Sequence, residues 1–147
     1  MARGNGNRIL MCCAVLAMVL ALMAACVAPA ACAAAKGAPY KIGALFAITG
    51  PASPLGTPER DTALLMEKQI NAAGGIKGRP VDIIIYDTKS NETETVLAAK
   101  NLINQGVVAI VGPSQTGESL ALLDLATRTG IPIISCAAGV KIVRPVN

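Results

Sequence analysis

From Tyr40 onward the chain alternates short apolar runs with longer amphipathic stretches, and that alternation constrains the fold more than any other feature. Tyr40–Ile48 (YKIGALFAI), Val81–Tyr86 (VDIIIY), Val107–Val111 (VVAIV) and Ile131–Ser135 (IPIIS) read as strands. Runs of five to nine largely apolar residues bounded by turn residues fit strands buried on both faces. Between them lie three segments with helical spacing. In the first, Thr57 is a candidate N-cap with Pro58 at the first helical position, Ala63, Leu64, Glu67 and Ile70 follow, and Gly74-Gly75 stops the helix. In the second, Asn91 and Glu94 form a capping-box pattern, Val96, Leu97, Leu102 and Ile103 follow, and Gly106 ends it. In the third, Ser114 or Thr116 caps a helix that runs to about Thr129 and stops at Gly130. Pro132 lacks an N–H, so the fourth strand should pair incompletely at its start. The order β-α-β-α-β-α-β predicts an α/β fold, a parallel sheet with right-handed crossovers and helices on both faces.

The first 35 residues follow a different logic. Met1–Arg8 carries Arg3 and Arg8 and no acid, Ile9–Val27 is an unbroken apolar run, and small residues dominate Ala28–Ala35. A basic start, an apolar middle and a small-residue tail predict a secretory signal. The run is also about the ~20 residues a membrane span needs, but no basic cluster follows to stop transfer. Two processing routes stay open. Ala33-Ala34-Ala35 suits cleavage before Lys36, whereas Leu22-Met23-Ala24-Ala25-Cys26 is a loose lipobox that would leave Cys26 lipidated and the protein tethered to a membrane. The expected organisation is therefore a signal over 1–35 and an α/β body over 36–147, exported from the cytoplasm.

Cysteine placement and charge remove several classes of function. Of five cysteines, Cys12, Cys13, Cys26 and Cys32 lie in or beside the signal, and only Cys136 lies in the body. Cleavage at Ala35 leaves no internal disulfide. With no His in the chain and no Cys pair in the body, a zinc site is not expected. The net charge of +4 falls by two when Arg3 and Arg8 leave, and the body shows neither a basic stripe nor an aromatic platform, so no nucleic-acid partner is expected.

In a doubly wound sheet, ligands bind outside the carboxyl ends of the strands. That places Thr49–Gly56, Asp87–Asn91, Gly112–Gly117 and Ser135–Gly139 on one rim. The loop Gly112-Pro113-Ser114-Gln115-Thr116-Gly117-Glu118-Ser119 is spaced like a phosphate-binding loop but has Glu118 where such loops carry Lys, and a carboxylate there repels a nucleotide. Free amides at a helix start, with hydroxyls from Ser114 and Thr116, still suit a single carboxylate; equally, Thr116 can be a simple helix cap. Ser135-Cys136-Ala137-Ala138-Gly139 is a second candidate loop, whose small residues let a ligand approach the backbone; it also reads as an ordinary exit turn. The candidate ligand residues in the two loops are Ser114, Gln115, Thr116, Ser135, Ala137, Ala138 and Gly139. No catalytic set emerges: the serines have no His to activate them, Asp87 reads as a turn or capping acid, and no cofactor is called for. Gly74–Pro80 (GGIKGRP) reads as a solvated turn.

At these loops the chain resembles type I periplasmic binding proteins, and among them the branched-chain amino-acid receptors of ABC transporters. The resemblance rests on Tyr40-Lys41-Ile42-Gly43, Thr49-Gly50-Pro51, Ile70–Gly78 (INAAGGIKG), Asp87-Thr88, Gly112-Pro113-Ser114 and Gly130-Ile131-Pro132, and spans Tyr40–Val143. It implies the first lobe of a two-lobed clamshell that closes on a small solute and hands it to ABC permease subunits in the membrane. Matched by position, it puts head-group contacts on Thr116, Ala137 and Gly139 and a side-chain contact on Leu55. Gly139 departs from the pattern, because amino-acid binders usually carry Thr or Ser there; this leaves room for another small carboxylate or amide. The implied second lobe is absent from the sequence, which is expected to be a truncated chain. The same lobe also occurs as the ligand-sensing ectodomain of signalling receptors, which is the competing reading.

Overall fold

The computed structural model describes residues 37–144. The expected signal over 1–35, with its cleavage motif and Cys26, lies outside the described residues. The elements are β1 (Tyr40–Phe46), α1 (Ser53–Ala72), β2 (Val81–Asp87), α2 (Glu92–Asn104), β3 (Ala109–Val111), α3 (Thr116–Ala121), α4 (Leu123–Thr129) and β4 (Ile133–Ile134), followed by a 3-10 turn at Val140–Ile142. The strands form one parallel sheet in the order β2-β1-β3-β4. The expected α/β architecture is therefore present. The chain turns one way from β1 to β2 and the other way to β3, so the order reverses between β1 and β3.

Alternation along the strands sorts side chains onto two faces. Leu45 of β1 and Ile110 of β3 point to one face, where they pack with Ala98 and Leu102 of α2 and with Leu122. These residues are buried, and each large one contributes about 1.5–3 kcal/mol by leaving water. Ile42, Ala44 and Phe46 point to the opposite face, beside Ala63 and Met66 of α1.

Local chemistry explains most element ends and corrects some expectations. Asn91 caps α2, its side chain accepting from the Glu94 amide at 3.0 Å, as the capping pattern predicts. Gly130 closes α4 in the left-handed conformation (φ 69°). The first helix, however, starts at Ser53 rather than after Thr57, with Pro58 inside it. The Ala52 amide is held by Ser90 Oγ (3.0 Å) and the Ser53 amide by the Gly50 carbonyl (3.1 Å), so the helix is seeded from outside its own sequence. The third helix is capped by Gln115, not Ser114 or Thr116, and breaks at Leu122, whose N–H bonds three residues back to Ser119 O. The third and fourth strands are shorter than their apolar runs. Val107 turns its N–H to Leu102 O, and after Pro132 only Ile133 and Ile134 pair. The Gly74–Pro80 stretch is a turn closed by an Ile76–Arg79 bridge. Its Arg79 guanidinium lies 3.8 Å from the Tyr40 ring centroid and donates to Ala38 O at 2.7 Å.

Candidate functional site

The carboxyl ends of β1 and β3, where the strand order reverses, are joined by one buried hydroxyl. Ser114 Oγ accepts from the Ala47 amide at 3.0 Å and donates to the Glu59 carboxylate of α1. Ser114 is 4% exposed, so its hydroxyl is committed to holding the two strand exits and α1 together. Nothing in the local sequence points to Glu59, because its partner is 55 residues away.

Asp87 at the end of β2 braces the neighbouring loop. Its carboxylate accepts from the amides of Ile48 (3.0 Å), Thr49 (3.1 Å) and Lys89 (2.8 Å) and from Thr49 Oγ1 (2.6 Å). Burial works to raise its pKa, but the Thr49 hydroxyl and these three amides outweigh that and hold it below the ordinary carboxylate value. Every donor is part of the protein itself, so Asp87 braces the β1–α1 loop. Ser90 completes the brace, donating to Thr49 O at 3.0 Å.

The α3 entrance and the β4 exit lie against each other. Thr116 is partly exposed at the first position of α3, and Gly139 sits so close that a β-carbon placed on it would fall 2.3 Å from Thr116 Cγ2. The two loops are also tied through hydroxyls. Ser119 Oγ donates to Gln115 O (3.0 Å) and lies 2.7 Å from Ser135 Oγ, which accepts the Ala137 amide at 3.1 Å. With the Ser119 proton on Gln115 O, the Ser135 proton goes to Ser119, so the Ser135 hydroxyl is occupied within the protein. Ala137, Ala138 and Gly139 line a cleft of about 430 Å³ together with Leu122 and Ile133. Leu55, near the start of α1, is 55% exposed at the same end of the sheet.

Electrostatics at α3 differ from a bare anion trap. The Gln115 amide is taken by Glu118 Oε2 at 3.2 Å, and the Glu92 carboxylate stands beside Gly117. Glu118 is 1% exposed, and its Oε1 has no hydrogen-bond partner. The six-residue helix therefore meets two carboxylates at its own start. Among the described residues the amides of Thr116 and Gly117 make no hydrogen bond to protein, and the Thr116 hydroxyl makes none either. Cys136, free and surface-exposed, has its thiol pKa raised, first by local burial and then by the negative Glu59, which keeps it protonated at neutral pH. Among the described residues no cluster of His, Cys, Asp or Glu could hold a metal ion, and no helix is long and apolar enough to cross a membrane.

In doubly wound sheets, ligands bind outside the carboxyl ends of the strands, at the point where the strand order reverses. Comparison with known proteins gives the family. The periplasmic binding protein model matches residues 39–143. The leucine-, isoleucine-, valine-, threonine-, and alanine-binding protein of Pseudomonas aeruginosa is 31% identical over 98 residues, which are 67% of this chain and 26% of that one. The crystal structure of the branched-chain amino acid transporter substrate binding protein LivJ from Streptococcus pneumoniae, in complex with isoleucine, superposes with a TM-score of 0.69 at 36% identity, over 72% of this chain and 31% of that one. A solute binding protein of an ABC transporter from Rhodopseudomonas palustris, in complex with 3,4-dihydroxy benzoic acid, gives 0.64 at 28% identity, over 71% and 28%. The chain belongs to the periplasmic binding protein family, matching the N-terminal part of the type I, branched-chain amino-acid group. It spans about a quarter to a third of the length of these relatives.

Proposed function

We propose that this lobe supplies one side of a site for a small amino-acid-like, carboxylate or amide solute, outside the cytoplasm, for delivery to ABC permease subunits. The observation that carries this reading is the meeting of Thr116 and Gly139, from separate loops, at the carboxyl ends of the strands. Around them lie an uncommitted hydroxyl and two uncommitted amides. Those groups suit a carboxylate, while Leu55 and the small residues Ala137 and Ala138 leave space beside it for the rest of the solute. The solved relatives support this range, since one holds isoleucine and another a hydroxylated benzoic acid.

The test is an NMR titration of the isotope-labelled chain with L-isoleucine and with 3,4-dihydroxybenzoate. One lobe covers one side of a ligand, so affinity should be on the order of millimolar. Shifts should centre on the amides of Thr116, Gly117 and Gly139, and Thr116→Ala should weaken binding about fivefold, the worth of one hydrogen bond. Shifts confined to other parts of the sheet would remove this site.

The same reading puts the signal boundary after Ala35. The intact mass of the exported protein should match a chain beginning at Lys36. A diacylglyceryl-modified Cys26 would instead make it a lipoprotein.

A further inference from the structure

We infer that the free edge of β2 is a docking edge for a second copy of this chain, closed by a two-fold axis at Ile84.

β2 is an outer strand of the sheet, 7 residues long, with Ile83, Ile84 and Ile85 in a row. The Tyr40 amide donates to Pro80 O and the Thr88 amide to Phe46 O. In the parallel register between them, the even-numbered residues of β2 bond to β1, so Val81, Ile83 and Ile85 turn their N–H and C=O outward. Asn71 of α1 plugs the first of these, its side chain accepting from the Val81 amide and donating to the Val81 carbonyl, both at 2.8 Å. Among the described residues nothing pairs with the outward groups of Ile83 and Ile85. A bare edge of this kind is a template for another strand.

An exposed leucine flanks that edge on each face. Leu64 lies seven residues before Asn71, on the same stripe of α1, and is 48% exposed. Leu97 of α2 is 51% exposed and lies eight residues before Gln105, whose Nε2 donates to Tyr86 Oη of β2 at 3.0 Å. Seven helix residues and three strand residues both span about 10 Å, so Leu64 stands level with Ile84.

Symmetry and charge point to the occupant. A two-fold axis through Ile84 pairs Ile83 with Ile85 of the second copy, and Ile85 with its Ile83, and the pairing stops at the Asn71 plug. Asp82 then faces Tyr86 of the second copy, so no like charges oppose each other across the strands. Leu64 meets Leu64 of the second copy. Arg60 and Glu67, which flank Leu64 on the same stripe, come against each other with opposite charge. Head-to-tail growth lacks a matching edge, because β4 at the other side of the sheet has only 2 residues. The strand edge and its two flanks bury on the order of 1,000 Å² in total, the small end of specific interfaces, so the pair is reversible.

Sedimentation equilibrium of the exported chain over about 5–500 µM should show a monomer–dimer equilibrium. Leu64→Lys and Leu97→Lys should each weaken it about tenfold or more, whereas Leu65→Lys, just as exposed but off the stripe, should stay within about twofold of the parent. With Cys136→Ala removing the exposed native thiol, Leu64→Cys should form an intermolecular disulfide on mild oxidation and Leu65→Cys should not. A monomer at every concentration overturns the inference. So does self-association or cross-linking that treats positions 64 and 65 alike. Should a lysine variant fail to fold, the cysteine pair alone decides.

Discussion

At the scale of single residues, Asp87 shows how a side chain that looks reactive in sequence can be spent on structure. Four donors converge on its carboxylate, and its pKa lies below the ordinary value of 3.8. A carboxyl whose folded pKa is lowered adds stability at pH values above its unfolded pKa, and loses it as pH falls through the folded value. Asp87 should therefore stabilise the chain fully from neutrality down to about pH 4 and progressively less below that. Asp87→Asn should cost about 2 kcal/mol at pH 7, allowing for partial exposure, and less at pH 2. Urea melts at the two pH values check this, and an equal loss at both would show that the charge is not what the loop uses. The expectation that Asp87 serves a turn was readable from its place after an apolar strand. Its partners Ile48 and Thr49 were not, because they lie 39 and 38 residues back and meet it only once β1 and β2 pair. Glu59 was invisible for the same reason. The Thr116–Gly139 contact was half legible: both residues stood out, but their closeness depends on how α3 and the β4 exit pack.

At the scale of elements, glycines that look alike in sequence divide by what surrounds them. Gly106 ends α2 and Gly112 ends β3, and both have positive φ (76° and 95°). A β-carbon on Gly106 would meet nothing within 4 Å, whereas one on Gly112 would fall 2.1 Å from the Leu45 carbonyl oxygen. Gly106→Ala should then cost only the conformational strain, about 1 kcal/mol. Gly112→Ala adds a collision with sheet backbone at the strand-order reversal and should cost about 3 kcal/mol or more. Chemical denaturation of the two variants compares them directly, and equal costs would mean that β1 and β3 can separate to make room. Sequence gave both glycines as element ends, since each follows an apolar periodic run. It also found the Asn91 cap, whose signal is wholly local. It missed the start of α1 because the capping groups, Ser90 Oγ and the Gly50 carbonyl, come from neighbouring loops rather than from Thr57. It missed the break at Leu122 because that residue is a good helix former; its side chain is buried in the core beside Leu102 and Ile110.

At the scale of the whole molecule, the sheet is covered unequally. The face carrying Leu45, Ile110 and Ile133 lies under α2 and α4, whereas among the described residues the opposite face meets only α1. Val111 and Ile134 are paired in register on that second face, beside a cleft of about 470 Å³ lined by Ala44, Phe46 and Met66; Ala44 and Phe46 are themselves buried, whereas Met66 is 45% and Ile134 63% exposed. Parallel sheets are normally buried on both faces. The apolar runs of β3 and β4 predicted that burial correctly for one face, but a run such as IPII reads the same whether or not a second layer covers it. Adjacent residues of β4 should therefore respond in opposite ways to the same change. Ile133→Lys places an ammonium in the packed face and should cost about 3 kcal/mol or more. Ile134→Lys places it in water and should leave the melting temperature within about 2 °C, a surface-like effect. An apolar fluorescent dye adds a second readout, since the folded parent should bind it at the open face and Ile134→Lys should bind less. Equal destabilisation by the two lysines, or dye binding unchanged by Ile134→Lys, would mean that a second layer covers this face in solution. The bare side of the sheet would then be an interface, and its measured cost at Ile134 would report how tightly the covering layer is held.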